Sequence, residues 1–259
     1  MRNAEDITRE IEHAAREMKT PVIREHYKIL ADQARAEGWT HEEYLAAVMS
    51  KQSTTRAANS AKARIGAARL PSLKTLEDFD FAAVPTAPRD KIAHLATSAY
   101  LGEHRNIILL GPPGVGKTHL AIGLARQACL HGWRAIFNTA TGWAAHLAES
   151  HARGRLGEEL RRLDRYRLLV IDELGYLPLD PESAALFFQL VAHRYESASI
   201  LVTSNLPFAR WGETLGDPTI AAAAIDRLVH HADVITIDGD SYRTRNQQQQ
   251  TREGSKFKR

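Results

Sequence analysis

A chain of 259 residues that is 44% hydrophobic and 25% charged can bury a sizeable core, which excludes collagen, wholesale disorder and a membrane bundle. The balance of 34 Lys and Arg against 31 Asp and Glu gives +3 with 12 histidines uncounted, too mild a bias to specify a polyanionic partner by itself. The single cysteine, Cys129, excludes an internal disulfide, fits a reducing compartment, and reads as a small buried hydrophobe on a helix rather than a nucleophile. The densest apolar stretches, Ile107–Leu110 and Leu168–Ile171, are far shorter than a signal or spanning segment, so a cytoplasmic protein with no membrane partner is expected.

In chain order, residues 5–18 set Ile7, Ile11, Ala14, Ala15 and Met18 on one helical stripe that Pro21 interrupts. A second amphipathic stretch runs from Val22 to Ala36 and ends at Gly38. Thr40 followed by Glu43 has the form of a capping box and opens a third helix through Tyr44, Leu45, Val48 and Met49. From Tyr44 to Leu76 there is no carboxylate, while Lys51, Arg56, Lys62, Arg64, Arg69 and Lys74 are all basic. That asymmetry predicts phosphate contacts to duplex DNA, against the plainer reading of a solvated helix face. Pro71 to Arg89 carries prolines at 71, 85 and 88 with Phe79 and Phe81, the composition of an ordered connector whose aromatics pack on the next domain.

After Arg105, short apolar runs alternate with helical stretches. Strands are expected at Asn106–Leu110, Arg134–Phe137, Leu168–Ile171, Ser199–Thr203 and Val234–Ile237, with helices near 117–131, 141–153, 182–195 and 219–230. Strands apolar on both faces and separated by helices imply a parallel five-stranded sheet covered on each side, a three-layer α/β domain. Domains are expected at 1–70 (helical, DNA- or partner-binding), 71–105 (connector), 106–240 (nucleotide-binding) and 241–259. That last tail, with four consecutive glutamines and basic residues, reads as disordered.

The chemistry begins at GPPGVGKT. Gly111, Pro112, Pro113, Gly114, Val115, Gly116, Lys117 and Thr118, with His119 next in the chain, follow a strand and open a helix, the context in which GxxxxGK[ST] cradles phosphates. The glycines let backbone N–H groups turn inward, Lys117 reaches the β- and γ-phosphates of ATP, and Thr118 presents a hydroxyl to Mg²⁺. The strand LLVID ends in Asp172 and Glu173; Asp172 is the second candidate for holding Mg²⁺ and Glu173 for polarising the attacking water. A sheet that places Ser199–Thr203 between the strands carrying the glycine loop and Asp172 would aim Asn205 at the γ-phosphate; alone, an Asn after a strand is a turn residue. Arg227, in Asp226-Arg227-Leu228, lies too far along the chain for an ordinary contact with the loop and suits a guanidinium inserted into a neighbouring subunit, the plain alternative being a helical ion pair of Asp226. His230-His231 is not read as a metal site, because adjacent residues on a helix face apart and no other ligand stands at metal spacing. Trp211 is read as packing rather than a base-stacking platform.

GPPGVGKTHLA, RYRLLVIDELGYLPLD, RYESASILVTSN, Trp211-Gly212-Glu213, DRLVHHA and GDSYR follow one another in a way that resembles the IstB-like ATPases, transposition helpers close to the DnaC helicase loaders within the AAA+ class. The likeness is tight over 71–245 and looser over 1–70. It implies an ATP-dependent homo-oligomer that binds DNA beside a DDE-type transposase in target selection and strand transfer. Lys117 and Thr118 would be the Walker A residues, Asp172 and Glu173 the Walker B pair, Asn205 the first sensor and Arg227 the arginine finger. Only 22 residues follow Ile237, which leaves no room for a C-terminal helical lid; Arg243 or Arg245 would have to serve as a second sensor. A helicase loader and a nucleotide-gated structural filament on DNA are the competing readings.

Overall fold

The computed structural model describes residues 3–239 and Ser241. The chain divides into two compact units, 1–63 and 64–259. The expected absence of a helical lid, the tail beyond Ser241 and the candidate second-sensor arginines at 243 and 245 fall outside the described residues.

In the first unit, α1 (Ala4–Glu17) leads through Lys19, which holds a left-handed φ of 53°, to α2 (Pro21–Glu37), where proline's missing N–H costs nothing at the first helical position. Gly38 ends α2 in the left-handed conformation expected of a C-terminal glycine. The capping box forms: Glu43 N–H donates to Thr40 Oγ1 at 3.2 Å and Thr40 N–H donates to Glu43 Oε2 at 2.7 Å, opening α3 (His41–Ala67). Val22, Tyr27 and Val48 are buried, Gln52 Oε1 accepts from Ile23 N–H, and the Tyr44 hydroxyl donates to the Tyr27 carbonyl. Of the α1 stripe only Ala15 is fully buried; Ile7 and Met18 stay exposed.

In the second unit the sheet runs in the order β2 (Ala135–Thr139), β3 (Leu168–Leu174), β4 (Ser199–Ser204), β1 (Asn106–Leu110), β5 (Ala232–Thr236), with every pair parallel. β4 therefore lies between β1 and β3, the arrangement needed to bring Asn205 to the glycine loop. Alternate side chains feed two cores, as the period of a strand dictates. Ile107, Leu109, Leu168 and Val170 join α5 (Lys117–Leu130) and α4 (Arg89–Ala96). Ile108, Leu110, Leu169 and Ile171 join α6 (Ala140–Ala152), α7 (Leu156–Leu163), α8 (Pro181–Arg194), α9 (Trp211–Leu215) and α10 (Pro218–Val229). The three-layer α/β architecture is thus as expected, although α4, α7 and α9 were not read from the sequence. Trp211 is fully buried, in keeping with a packing role, and so is Cys129.

The connector belongs to this unit's core. Phe79, Val84, Ala87, Ile92, Leu95, Tyr100 and Leu101 are buried with β1 and α5, and Phe81 packs against them. The last turn of α3 does the same: Phe137 N–H donates to the Ala68 carbonyl, and Arg64 Nε donates to the Cys129 carbonyl at 2.8 Å. Asn106 fixes the start of β1, its amide donating to Leu228 O while its side-chain oxygen accepts from Ile200 N–H. No helix among the described residues is long and apolar enough to cross a membrane.

Candidate nucleotide site

At the carboxyl end of β1 the chain turns through the glycine loop into α5. Gly111, Gly114 and Gly116 all hold positive φ, which L side chains rarely adopt. At Gly116, φ is 94° and an added Cβ would sit 2.6 Å from Phe79 Cε2, so the connector's aromatic ring closes directly on the loop. His119 rests edge-on against the same ring and bonds the Thr75 carbonyl at 2.7 Å, while Leu76 fills the space beside Gly123. Lys117 is buried, its ammonium donating to the carbonyls of Gly111 at 2.6 Å and Pro112 at 2.8 Å. The cation is thereby held at the mouth of the loop.

β3 delivers Asp172 to that place. Thr118 Oγ1 lies 3.1 Å from both its carboxylate oxygens, and Thr203, at the end of β4, donates to Oδ1 at 2.6 Å. Burial pushes the Asp172 carboxyl above its ordinary range, against the pull of the two hydroxyl bonds and of Lys117. A buried carboxylate beside a threonine hydroxyl is a hard-oxygen donor set that fits Mg²⁺.

One residue on, the register between β3 and β4 shifts between Ile171 and Leu174, and Glu173 takes a φ of 61°. Its N–H is held by Thr203 Oγ1 at 2.9 Å. Thr203 therefore secures both acidic residues; it was missed in the sequence, although the polar pair closing the apolar run ILVTS was the available signal. Asn205 follows, and its buried Oδ1 has no hydrogen-bond partner among the described residues. An orphaned polar atom at such a place marks where a ligand or water belongs.

Gly114 to His119, Glu173, Thr203 and Asn205 line one cavity of about 550 Å³, together with Tyr176 and connector residues from Pro71 to Asp80. Pro112, Pro113 and Asp172 border the loop and strand end beside it. Two expected residues stand elsewhere. Arg227, on α10, donates to the Ala223 carbonyl at 3.1 Å and stacks over Phe188, with its carbon 4.9 Å from the ring centre; it does not line its own chain's cavity. Lys74 lines the cavity instead of extending the basic run away from it. The other basic residues do not form a single stripe. At about 100° per residue, Lys51 and Lys62 on α3 fall within about 20° of each other but Arg56 is about 140° away. Arg64 is engaged by Cys129, and Arg69 is an exposed residue with φ of 56°.

The expectation that His230 and His231 face apart is overturned. α10 stops at Val229, His230 is only its cap, and the two rings approach to 4.2 Å between centres.

A glycine loop between a central strand and a helix, with an acidic strand beside it and a polar strand end between them, defines a P-loop nucleotide-binding protein of the AAA+ class. The chain belongs to the family of IstB-like ATP-binding proteins, whose profile matches residues 13–250. It is 38% identical over 230 residues to the ATP-binding protein of insertion sequence IS5376 from Geobacillus stearothermophilus, covering 89% of this chain and 92% of the relative. Likewise it is 41% identical over 234 residues to that of insertion sequence IS21 from Pseudomonas aeruginosa, covering 90% and 88%. In fold it is similar to AMPPCP-bound DnaA from Aquifex aeolicus, with a TM-score of 0.55 at 22% identity over 71% of this chain and 56% of that one. The DnaC helicase loader is also similar, with a TM-score of 0.50 at 20% identity over 67% and 98%.

Proposed function

We propose that this chain hydrolyses ATP as the helper of a DDE-type transposase, assembling on duplex DNA as an ATP-dependent homo-oligomer to control target selection and strand transfer. The observation that carries the reading is the convergence of Lys117, Thr118, Thr203, Glu173 and Asn205 on one cavity, with Asp172 held beside it by the hydroxyls of Thr118 and Thr203. Lys117 and the backbone N–H groups of Gly114–Thr118 hold the phosphates, the ammonium exchanging the loop carbonyls it now contacts for phosphate oxygens. Thr118 and Asp172 hold Mg²⁺, which neutralises charge on the β- and γ-phosphates when bound. Glu173 accepts a proton from the attacking water, and Asn205, whose Oδ1 has no partner among the described residues, orients that water. Arg227 does not line its own chain's cavity and is assigned to the γ-phosphate of a neighbouring subunit. Lys51, Arg56, Lys62, Arg64 and Arg69 are assigned to DNA phosphates, repeated at every subunit; Lys74 has a place in both settings. The cytoplasm is the compartment that suits such work.

The relatives named for insertion sequences favour a transposition helper over a helicase loader. The deciding experiment pairs Glu173→Gln with its parent. The variant should bind ATP as tightly and turn over at least about 10²-fold more slowly, the usual scale of a lost general base. In a strand-transfer reaction with a DDE-type transposase from an insertion sequence of this family, target choice should fail to redistribute. Near-parental turnover removes Glu173 from the mechanism, and unchanged target choice favours the filament reading, with hydrolysis only a reset.

A further inference from the structure

We infer that Glu196, His230 and His231 form a binding site for a transition-metal cation of the zinc class, on the surface where α10 ends. The three side chains come from two places, the turn after α8 and the cap of α10, and one ligand atom from each lies within 4.8 Å of the others. His231 Nε2 is 3.7 Å and His230 Nδ1 4.0 Å from Glu196 Oε1. Zinc bonds of about 2.0–2.2 Å in a tetrahedron place neighbouring ligand atoms about 3.4 Å apart. Reaching that spacing from at most 4.8 Å takes a shift of about 0.7 Å or less per side chain.

The donor set fits the chemistry. Two imidazoles and one carboxylate, with a fourth place left to water, is a combination that zinc takes and that Mg²⁺, which prefers oxygen alone, does not. All three side chains are about half exposed, at 53%, 52% and 57%, so gathering them around a cation costs little desolvation. The backbone is already arranged for it. Glu196 holds a left-handed φ of 55°, and its carbonyl accepts from His104 Nδ1 at 2.6 Å, which fixes the turn that presents the carboxylate. The Tyr195 hydroxyl lies 3.0 Å from His230 Nδ1. The same hydroxyl also bonds the Glu196 carboxylate, so Tyr195 sits on the cluster and must yield its place when the cation binds. An ordinary surface ion pair needs one histidine; here the end of the helix turns a second ring onto the same carboxylate. The cation would tie the turn after α8 to the last turn of α10, one helical turn beyond Arg227.

The test uses the full chain in a millimolar excess of Mg²⁺, which fills hard-oxygen sites. Co²⁺ is titrated by visible absorption and Zn²⁺ by calorimetry. The expected result is one saturable equivalent per chain, the bands of a four-coordinate cobalt centre, displacement of cobalt by zinc, and a zinc-dependent rise in Tm. Glu196→Gln and His231→Ala should each lower affinity more than about tenfold, at least the cost of losing an outer partner of a metal ligand. His193→Asn, which removes an imidazole paired with Asp164 on α8's own surface, should leave binding unchanged. Both cluster variants change exposed side chains, and their parental melting in chelator checks that they are folded. Binding that survives in both variants, absence of saturation, or half an equivalent with a zinc-dependent dimer on size exclusion each overturns the single-chain site.

Discussion

Arg194, the last residue of α8, is only 1% exposed, feels the charge of Asp164, and makes no salt bridge to a carboxylate among the described residues. Its guanidinium instead donates to backbone carbonyls of Tyr166 at 2.9 Å, Ser199 at 3.1 Å and Leu163 at 3.3 Å, joining the end of α7, the approach to β3 and the start of β4. Replacing it with methionine keeps most of the stem packing but removes these bonds, each worth about 1.5–3 kcal/mol from a charged donor. The cation's lost desolvation penalty, several kcal/mol, offsets part of that. We expect a net loss of about 3 kcal/mol, or about 6–12 °C in Tm at about 2–4 °C per kcal/mol for a unit of this size. Arg194→Lys should lose less, since one ammonium replaces a planar fork. Burial lowers the guanidinium pKa to about 10. Below that value Arg194 is protonated both folded and unfolded, so the deficit should be flat from about pH 6 to 9. Only above about 10 does the unfolded chain bind the extra proton, and there this residue's contribution to stability rises with pH. Denaturant unfolding followed by tryptophan fluorescence measures this. A methionine variant within about 1 kcal/mol of the parent, or a deficit that changes steeply across neutral pH, would refute the assignment of these carbonyl bonds as the staple.

Gly116→Ala should weaken ATP binding more than tenfold and lower stability by about 1–2 kcal/mol, the cost of a side chain in the left-handed region, before the clash with Phe79 is added. Gly132→Ala has a similar φ of 96° with nothing within 4 Å, so it should reproduce the backbone cost while ATP affinity, read by titration calorimetry, stays parental. Arg227→Ala should bind ATP and hydrolyse it poorly, and mixing it with Lys117→Ala should recover activity; mixed assemblies without recovery exclude a role in trans. For DNA, the salt slope of log K should fall by about 0.9 for each phosphate left unneutralised in a variant with Lys51, Arg56 and Lys62 changed to glutamine. Arg64 is left in place because it holds Cys129 O; an unchanged slope makes the run a solvated face.

Much of this was legible because its signals are local. β1 has the expected bounds, Asn106 to Leu110, since charged residues precede it and Gly-Pro-Pro follows. The order of the sheet was legible in part, because Asn205 could serve the glycine loop only if β4 lay between β1 and β3. α7 was missed although Leu156, Leu160 and Leu163 follow a helical period, because arginine and glutamate dominate a stretch of only 8 residues. The helical domain was expected to end at 70; in the structure the two compact units divide at 63 and 64, and Ile65, Ala68 and Leu70 pack into the core of the second. The carbonyls around Arg194 and the carboxylate facing His230 and His231 come from distant segments, and no spacing within a motif announces them.

On the proposed mechanism, the left-handed backbone of Glu173 sets stability against turnover at a single position. Glutamate is disfavoured in that conformation by about 1–2 kcal/mol, whereas glycine adopts it freely and asparagine tolerates it. A copy of this gene no longer selected for hydrolysis would therefore become more robust by losing the carboxylate. Genetic drift at residue 173 should run toward glycine or asparagine, leaving descendants that fold well, hold nucleotide and no longer cycle.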